Sequence, residues 1–135
     1  QGKFVPPSPY AGLYNSYFGT RRSFNGSAFT YYHGGLDYQG GTGVQIYAPA
    51  AGRVVFAGPL TIRGNATLID HGLGVFSGYW HQSEIHVNVG DRVEQGQVIG
   101  LGGNTGRSSV AHLHWEILVG KIQVEPLDWL EFEYP

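Results

Sequence analysis

The sequence predicts an all-β domain, an antiparallel sandwich or barrel-like hybrid with an open groove and long loops. Three observations predict it. Turn formers are abundant, with 22 Gly and 7 Pro among 135 residues, and these residues supply the backbone conformations that tight turns need. Tyr is the commonest aromatic, at 9 residues, and aromatic side chains suit a pleated, half-buried surface. Short alternating apolar runs recur roughly every ten residues with turn residues between them, the rhythm of antiparallel sandwiches and barrels.

The elements follow in order. Residues 1–17 read as an extended lead-in, with Pro6, Pro7 and Pro9 in its first half. Residues 10–42 are rich in Gly, Ser, Asn and Tyr without a helical period, which predicts loop with one short strand at 28–32. Short strands are predicted at 44–48, 53–57 and 66–70, with Pro49-Ala50-Ala51-Gly52 as the first turn. His71-Gly72-Leu73-Gly74 turns the chain into a strand at 75–81. A strand end and turn follow at 87–91, then a strand at 97–101. Residues 102–109 hold three glycines and read as a loop. The longest alternating run is 111–119, and Gly120-Lys121 makes a hairpin turn into 122–125. The tail, 126–135, is aromatic and acidic, with one helical turn expected at 127–130.

Composition narrows the function. The length fits one domain, 1–135, with a core that needs no staples. There are 0 Cys, which removes disulfides, thiolate metal sites and a thiol nucleophile. A net charge of −2 without a basic run argues against nucleic acid or anionic lipid as partner. No apolar run approaches the ~18 residues of a membrane span. The chain opens at Gln1 without an initiator Met or a signal-like segment, as a trimmed fragment or mature form would. Charged residues make up only 13%, so ionisable side chains gathered on one strand need a reason.

The strand at 111–119 gathers them. At period two, Leu113, Trp115, Ile117 and Val119 fall on one face, and His112, His114 and Glu116 on the other. A solvated outer face would account for this strand taken alone. The second His changes the reading, together with His33 and Asp37 four residues apart and the flexible rim at 102–109. In the strand at 75–81, Val75, Ser77, Tyr79 and His81 share one face and Phe76 and Trp80 the other. His81 can thus point into the same groove as His112.

Imidazole and carboxylate donors without thiolates suit zinc. A catalytic zinc takes three protein ligands and keeps a water whose pKa falls toward ~7. His33, Asp37, His81, His112 and His114 can supply three ligands and two further imidazoles. Hydrolysis needs that pair: one ring accepts the proton of the attacking water, and the other donates to the oxyanion or leaving amine. The helical H-E-x-x-H device is absent. Gly34-Gly35 lies between His33 and Asp37, which places them on a loop rather than a helix. His112 and His114 face the same way, so the pattern leaves open which of them binds metal.

From about Phe18 to Leu130 the chain resembles the lysostaphin- and LytM-type zinc endopeptidases that cut peptidoglycan peptides. The family's H-x-x-x-D matches His33 to Asp37, and its G-x-x-V-x-A-P-x-x-G-x-V matches Gly43 to Val54, with Ile46 in the apolar slot. Its I-D-H-G matches Ile69 to Gly72, its Y-x-H matches Tyr79 to His81, and its V-G-D-x-V-x-x-G-Q-x-I-G matches Val89 to Gly100. Thr105-Gly106-Arg107-Ser108 and His112-Leu113-His114-Trp115-Glu116 complete the series. Each motif alone is weak; all of them in order are specific.

The resemblance implies that His33, Asp37 and His114 hold one Zn(2+) and that His81 and His112 are the catalytic imidazoles. It implies a metal-containing groove flanked by loops at 19–30, 60–65 and 102–110. It also implies peptidoglycan peptide cross-links as partner and an extracytoplasmic bacterial location; a monomer is expected for the chain. Two positions depart from the family: Gln82 stands where an apolar residue commonly follows the Y-x-H histidine, and Val110-Ala111 where Gly-Pro is frequent. Some members have lost ligands and act as non-catalytic peptidoglycan-binding or amidase-activating modules. Here all five positions are present, which favours an enzyme. A structural zinc staple would need a fourth protein ligand, from His112.

Other residues fit two roles each. Glu116 is an orienter of a site histidine or a surface charge. Tyr79, with Tyr31 and Tyr32, lines the groove or packs in the core. Arg21 contacts a substrate carboxylate or anchors its loop, and Asn65, Asn104 and Arg107 share that ambiguity. Asp70 and His71 read as stabilisers of the turn at 70–74, and His86 as exposed.

Overall fold

The computed structural model describes residues 2–9, 14–16, 21–23, 30–32, 36–38, 42–60, 63–103, 113–120, 122–124, 126–130 and 133–134. For 2–3, 14–16, 21–23, 30–32, 36–38, 127–128 and 133–134 it describes the backbone alone. The strands are β1 (Gly2–Lys3), β2 (Tyr14–Ser16), β3 (Arg21–Ser23), β4 (Thr30–Tyr32), β5 (Leu36–Tyr38), β6 (Gln45–Tyr47) and β7 (Gly52–Leu60). They continue with β8 (Gly64–Asp70), β9 (Val75–Ile85), β10 (Arg92–Val93), β11 (Val98–Gly102), β12 (Leu113–Val119), β13 (Ile122–Val124) and β14 (Glu133–Tyr134). One helical turn, α1 (Pro126–Trp129), precedes β14.

The described strands form a ten-stranded antiparallel sheet whose main path is β10-β7-β8-β9-β12-β5-β2, with β11, β6 and β13 attached beside it. This is the all-β antiparallel class that the turn residues and alternation predicted. Its axis is β9, 11 residues long. β9 pairs with β8 on one side and with β12 on the other. The β12 pairing ends at Trp80, and β11 takes over from Gln82. β12 meets β9 from His114 to Val119, while its other edge takes β5 at Leu113–Trp115 and then β13 from Ile117.

The core lies on one face of this sheet. Trp115 sits opposite Tyr79 and Leu36 in the ladders, and Tyr79, Trp115, Ile117, Ile69, Val54 and Ile99 are fully buried. A buried polar chain crosses it. The Ala51 carbonyl can only accept, so His71 Nδ1 donates to it at 2.9 Å, and Nε2 of the neutral ring accepts from Ser77 Oγ at 2.6 Å. The Tyr79 hydroxyl then donates to Ser77 Oγ at 2.7 Å. Burial lowers the His71 pKa, which keeps the ring neutral for this pattern. His71 thus stabilises more than its own turn.

Several expectations change. The region 10–42 carries four strands rather than one, because β5 pairs with β12 far along the chain, β2 adds to β5, and β3 pairs with β4. Asp37 therefore lies on a strand and not on a loop. β7 extends through Gly58 and Pro59 to Leu60, and β9 runs on to Ile85. Within residues 1–17, β1 pairs with β14. Phe4 is buried, its ring centroid 5.0 Å from that of His71 and 5.6 Å from that of Trp129. That stretch is part of the packed domain as well as a lead-in.

Candidate metal centre

β12 has the predicted alternation except at its end, where Val119 is exposed rather than packed in the core. Leu113, Trp115 and Ile117 are buried in the core, and His114, Glu116 and Leu118 occupy the opposite face. The register places His114 between Trp80 on β9 and Asp37 on β5. Two stretches far apart in the sequence, each carrying a donor position of the sequence pattern, are thereby neighbours in one ladder.

Glu116 fixes the His114 ring. Its Oε2 accepts from His114 Nε2 at 2.8 Å, and its Oε1 accepts from Gln123 Nε2 at 3.0 Å. Only 5% of Glu116 is exposed, so it is not a surface charge. Burial pushes its carboxyl up. The hydrogen bond and charge of His114 outweigh this, with the Trp80 indole at longer range and the Gln123 amide adding to them, and the carboxyl sits below its ordinary value. An ionised carboxylate accepts only, so His114 Nε2 carries the proton. Nδ1 is then the nitrogen with the chemistry to coordinate a cation, the arrangement in which a carboxylate orients a ligating histidine. Replacing Glu116 by Ala is expected to weaken zinc affinity roughly 10- to 100-fold, measured by competition with a chromogenic chelator. An unchanged affinity would mean that the carboxylate does not orient a ligand.

His81 reaches the same face by a different route. Strict alternation puts it with Tyr79, and Tyr79 is wholly buried in the core. The β8–β9 register slips between Thr67↔Tyr79 and Asn65↔Gln82, so Trp80 and His81 together span one residue of β8. This bulge turns His81 away from the core, with φ at 62°. Its N–H donates to the Arg63 carbonyl at 2.7 Å. A non-Gly residue in this left-handed region is costly and is held by its surroundings. The His81 and His114 ring centroids are 6.4 Å apart and nearly perpendicular, at 76°. The bulge also turns Gln82 inward: it is fully buried, and its Oε1 accepts from Thr67 Oγ1 at 2.7 Å. The polar residue at this departure from the family pattern thus has a buried hydroxyl to meet.

The other predicted residues lie as follows. His33, His112 and Asn104 are outside the described residues, as are Val110 and Ala111. Arg21 and Asp37 are described by their backbones, in β3 and β5. Among the described residues no three metal-donor side chains cluster, since the remaining donors of the pattern fall outside them. Tyr79 is a core residue whose hydroxyl meets Ser77, so it does not line the groove. His86 is exposed and pairs with Glu84 at 2.9 Å.

Three residues join the site that sequence reasoning did not single out: Gln123, Trp80 and Arg63. Gln123 was accessible from the hairpin turn at 120–121, which sets Leu118 opposite Gln123. Trp80 precedes His81, and Arg63 enters only through the β8–β9 bulge. Beyond Glu116 the same face continues as an open groove of about 680 Å³, lined by Phe56, Leu68, Phe76, Leu118 and others, with Arg63 on its wall.

Comparison with known proteins gives a consistent picture. The model of peptidase family M23 matches residues 31–126. Peptidoglycan DD-endopeptidase ShyA of Vibrio cholerae is 40% identical over 87 residues, covering 64% of this chain and 20% of that protein. The chain thus spans about a fifth of the length of this curated relative. Among solved structures, a zinc-containing peptidase from Vibrio cholerae matches with a TM-score of 0.88 at 28% identity, over 100% of this chain and 41% of that one. The catalytic domain of lysostaphin from Staphylococcus simulans matches with a TM-score of 0.78 at 29% identity, over 88% and 92%.

Proposed function

The chain belongs to peptidase family M23, and from that premise we propose that it is a zinc-dependent endopeptidase hydrolysing peptide bonds in bacterial peptidoglycan. The observation that carries this reading is the His114 ring clamped through Nε2 by Glu116, opposite Asp37 in the ladder and beside the ring of His81. His33, Asp37 and His114 would hold one Zn(2+), whose place in the reaction is to act as a Lewis acid and to acidify a water.

The chain's own groups do the rest. His81, held on its bulge, and His112, two positions before His114, handle the protons. One accepts a proton as the oxygen of water bonds to the scissile carbonyl carbon. The other donates to the developing oxyanion, and the proton taken from water leaves with the amine as the C–N bond breaks. Such work requires rings that are positioned and not consumed as ligands, which suits an imidazole carried on strained backbone next to the metal ligand. The sheet face beyond Glu116 offers the groove in which a peptide would lie. A relative named as a DD-endopeptidase favours D-amino-acid linkages over glycyl bridges as the bonds cut. A protein acting on peptidoglycan would work outside the bacterial cytoplasm.

The test is digestion of purified sacculi of differing cross-link chemistry, with and without chelator, followed by mass spectrometry of the released fragments. Chelator-sensitive release of cross-link fragments is expected. No release at saturating zinc would sink the hydrolase and leave a non-catalytic peptidoglycan-binding or amidase-activating module.

A further inference from the structure

We propose that Arg63 is a specificity residue that anchors a free carboxylate of the substrate, on the carbon bearing the scissile nitrogen. The inference rests on the peptidase reading above and names the chemistry of its substrate more narrowly.

Three features single out Arg63. It stands at the hinge of the site, since its carbonyl accepts the N–H of His81 at 2.7 Å and so fixes the bulge. Its guanidinium carbon lies 5.1 Å from the centroid of the Trp80 ring, and Trp80 is the rung beside His114. Third, the residue is exposed, and among the described residues no carboxylate forms an ion pair with it.

The Trp80 platform is itself built. A Cβ on Gly78 would lie 2.7 Å from Trp80 Cη2, so only glycine lets the indole lie back across that position. The ring then presents a face to the cation, and such a contact holds a guanidinium in place without neutralising it. A planar guanidinium fork held on an aromatic face is suited to bidentate capture of a carboxylate. Elsewhere the groove is lined by Phe56, Leu68, Phe76 and Leu118, and among the described residues the carboxylate on its wall, Glu116, is committed to His114 and Gln123. Among the described residues, Arg63 is the cation that a ligand lying there would meet.

This selects among cross-links by chemistry. In a linkage between two D-centres, the carbon bearing the scissile nitrogen also bears a carboxyl group. An interior glycyl linkage has no carboxylate at that distance. An amidated carboxyl has the same shape without the charge.

The test compares two synthetic cross-linked peptides that differ only in carrying a carboxylate or a carboxamide on the nitrogen-side residue. Calorimetric affinity and turnover are measured for the zinc-loaded protein, for Arg63→Gln and for Arg63→Lys, with zinc content and melting temperature as checks of integrity. The wild type is expected to bind the carboxylate form about tenfold more tightly. Arg63→Gln should erase that preference with little effect on the carboxamide, and Arg63→Lys should keep part of it because the charge remains. Equal affinities in the wild type, binding of neither peptide, or a preference that survives in Arg63→Gln would each overturn the proposal. If Arg63→Gln does not fold, the wild-type preference and the Arg63→Lys value decide. A carboxylate preference without turnover of either peptide would sink the hydrolase and leave the anchor standing.

Discussion

Replacing His81 by Ala, or His112 by Ala, is expected to lower turnover by roughly two to four orders of magnitude while zinc stays bound. The reasoning separates two kinds of imidazole. His114 has Nε2 committed to Glu116, which suits the ligand role proposed for it. His81 instead sits on a bulge that lifts it out of the alternation of β9 and sets its ring 6.4 Å from that of His114. A ring set by strained backbone beside the proposed ligand His114 suits the proton-transfer role proposed for it. The measurement is single-turnover hydrolysis together with zinc stoichiometry by elemental analysis. Zinc lost in either variant would assign that histidine to the metal and overturn the division of roles. It would also revive the structural-staple reading if His112 were the one.

Trp115→Ala is expected to destabilise the fold by about 3–5 kcal/mol. Trp115 is fully buried and the largest such side chain among the described residues. It stands in the ladders between Tyr79 on β9 and Leu36 on β5, so the cavity left by its loss opens where three strands meet. Neighbouring β strands relax poorly into such a void, because each is held by its own register. The damage should reach the site, since His114 and Glu116 flank Trp115 on the same strand. Thermal unfolding checks this, with a melting temperature expected to drop by about 10 °C or more. Trp115→Phe should lose much less. A drop of a degree or two for Trp115→Ala would mean that the core is not centred on this strand.

The site was legible in the sequence wherever its logic is local. The split of β12 into Leu113, Trp115 and Ile117 against His114 and Glu116 follows from period two alone. The hairpin at Gly120, with φ of 65°, was marked by its turn residues. Glu116 was readable only as one of two options, because a carboxylate's burial depends on which neighbours close over it.

Residues alone determined the β character of this protein, its inventory of imidazole and carboxylate donors, and the faces on which most strands present them. Tertiary structure decided where those faces meet. It brought Asp37 into a strand beside His114, sent Tyr79 to the core and His81 to the groove, buried Phe4, and laid Arg63 over Trp80. The reason is that alternation is a property of one strand, whereas register and bulges belong to a pair. One extra residue in β9 opposite β8 reverses every side chain beyond it, and nothing within β9 itself announces that step.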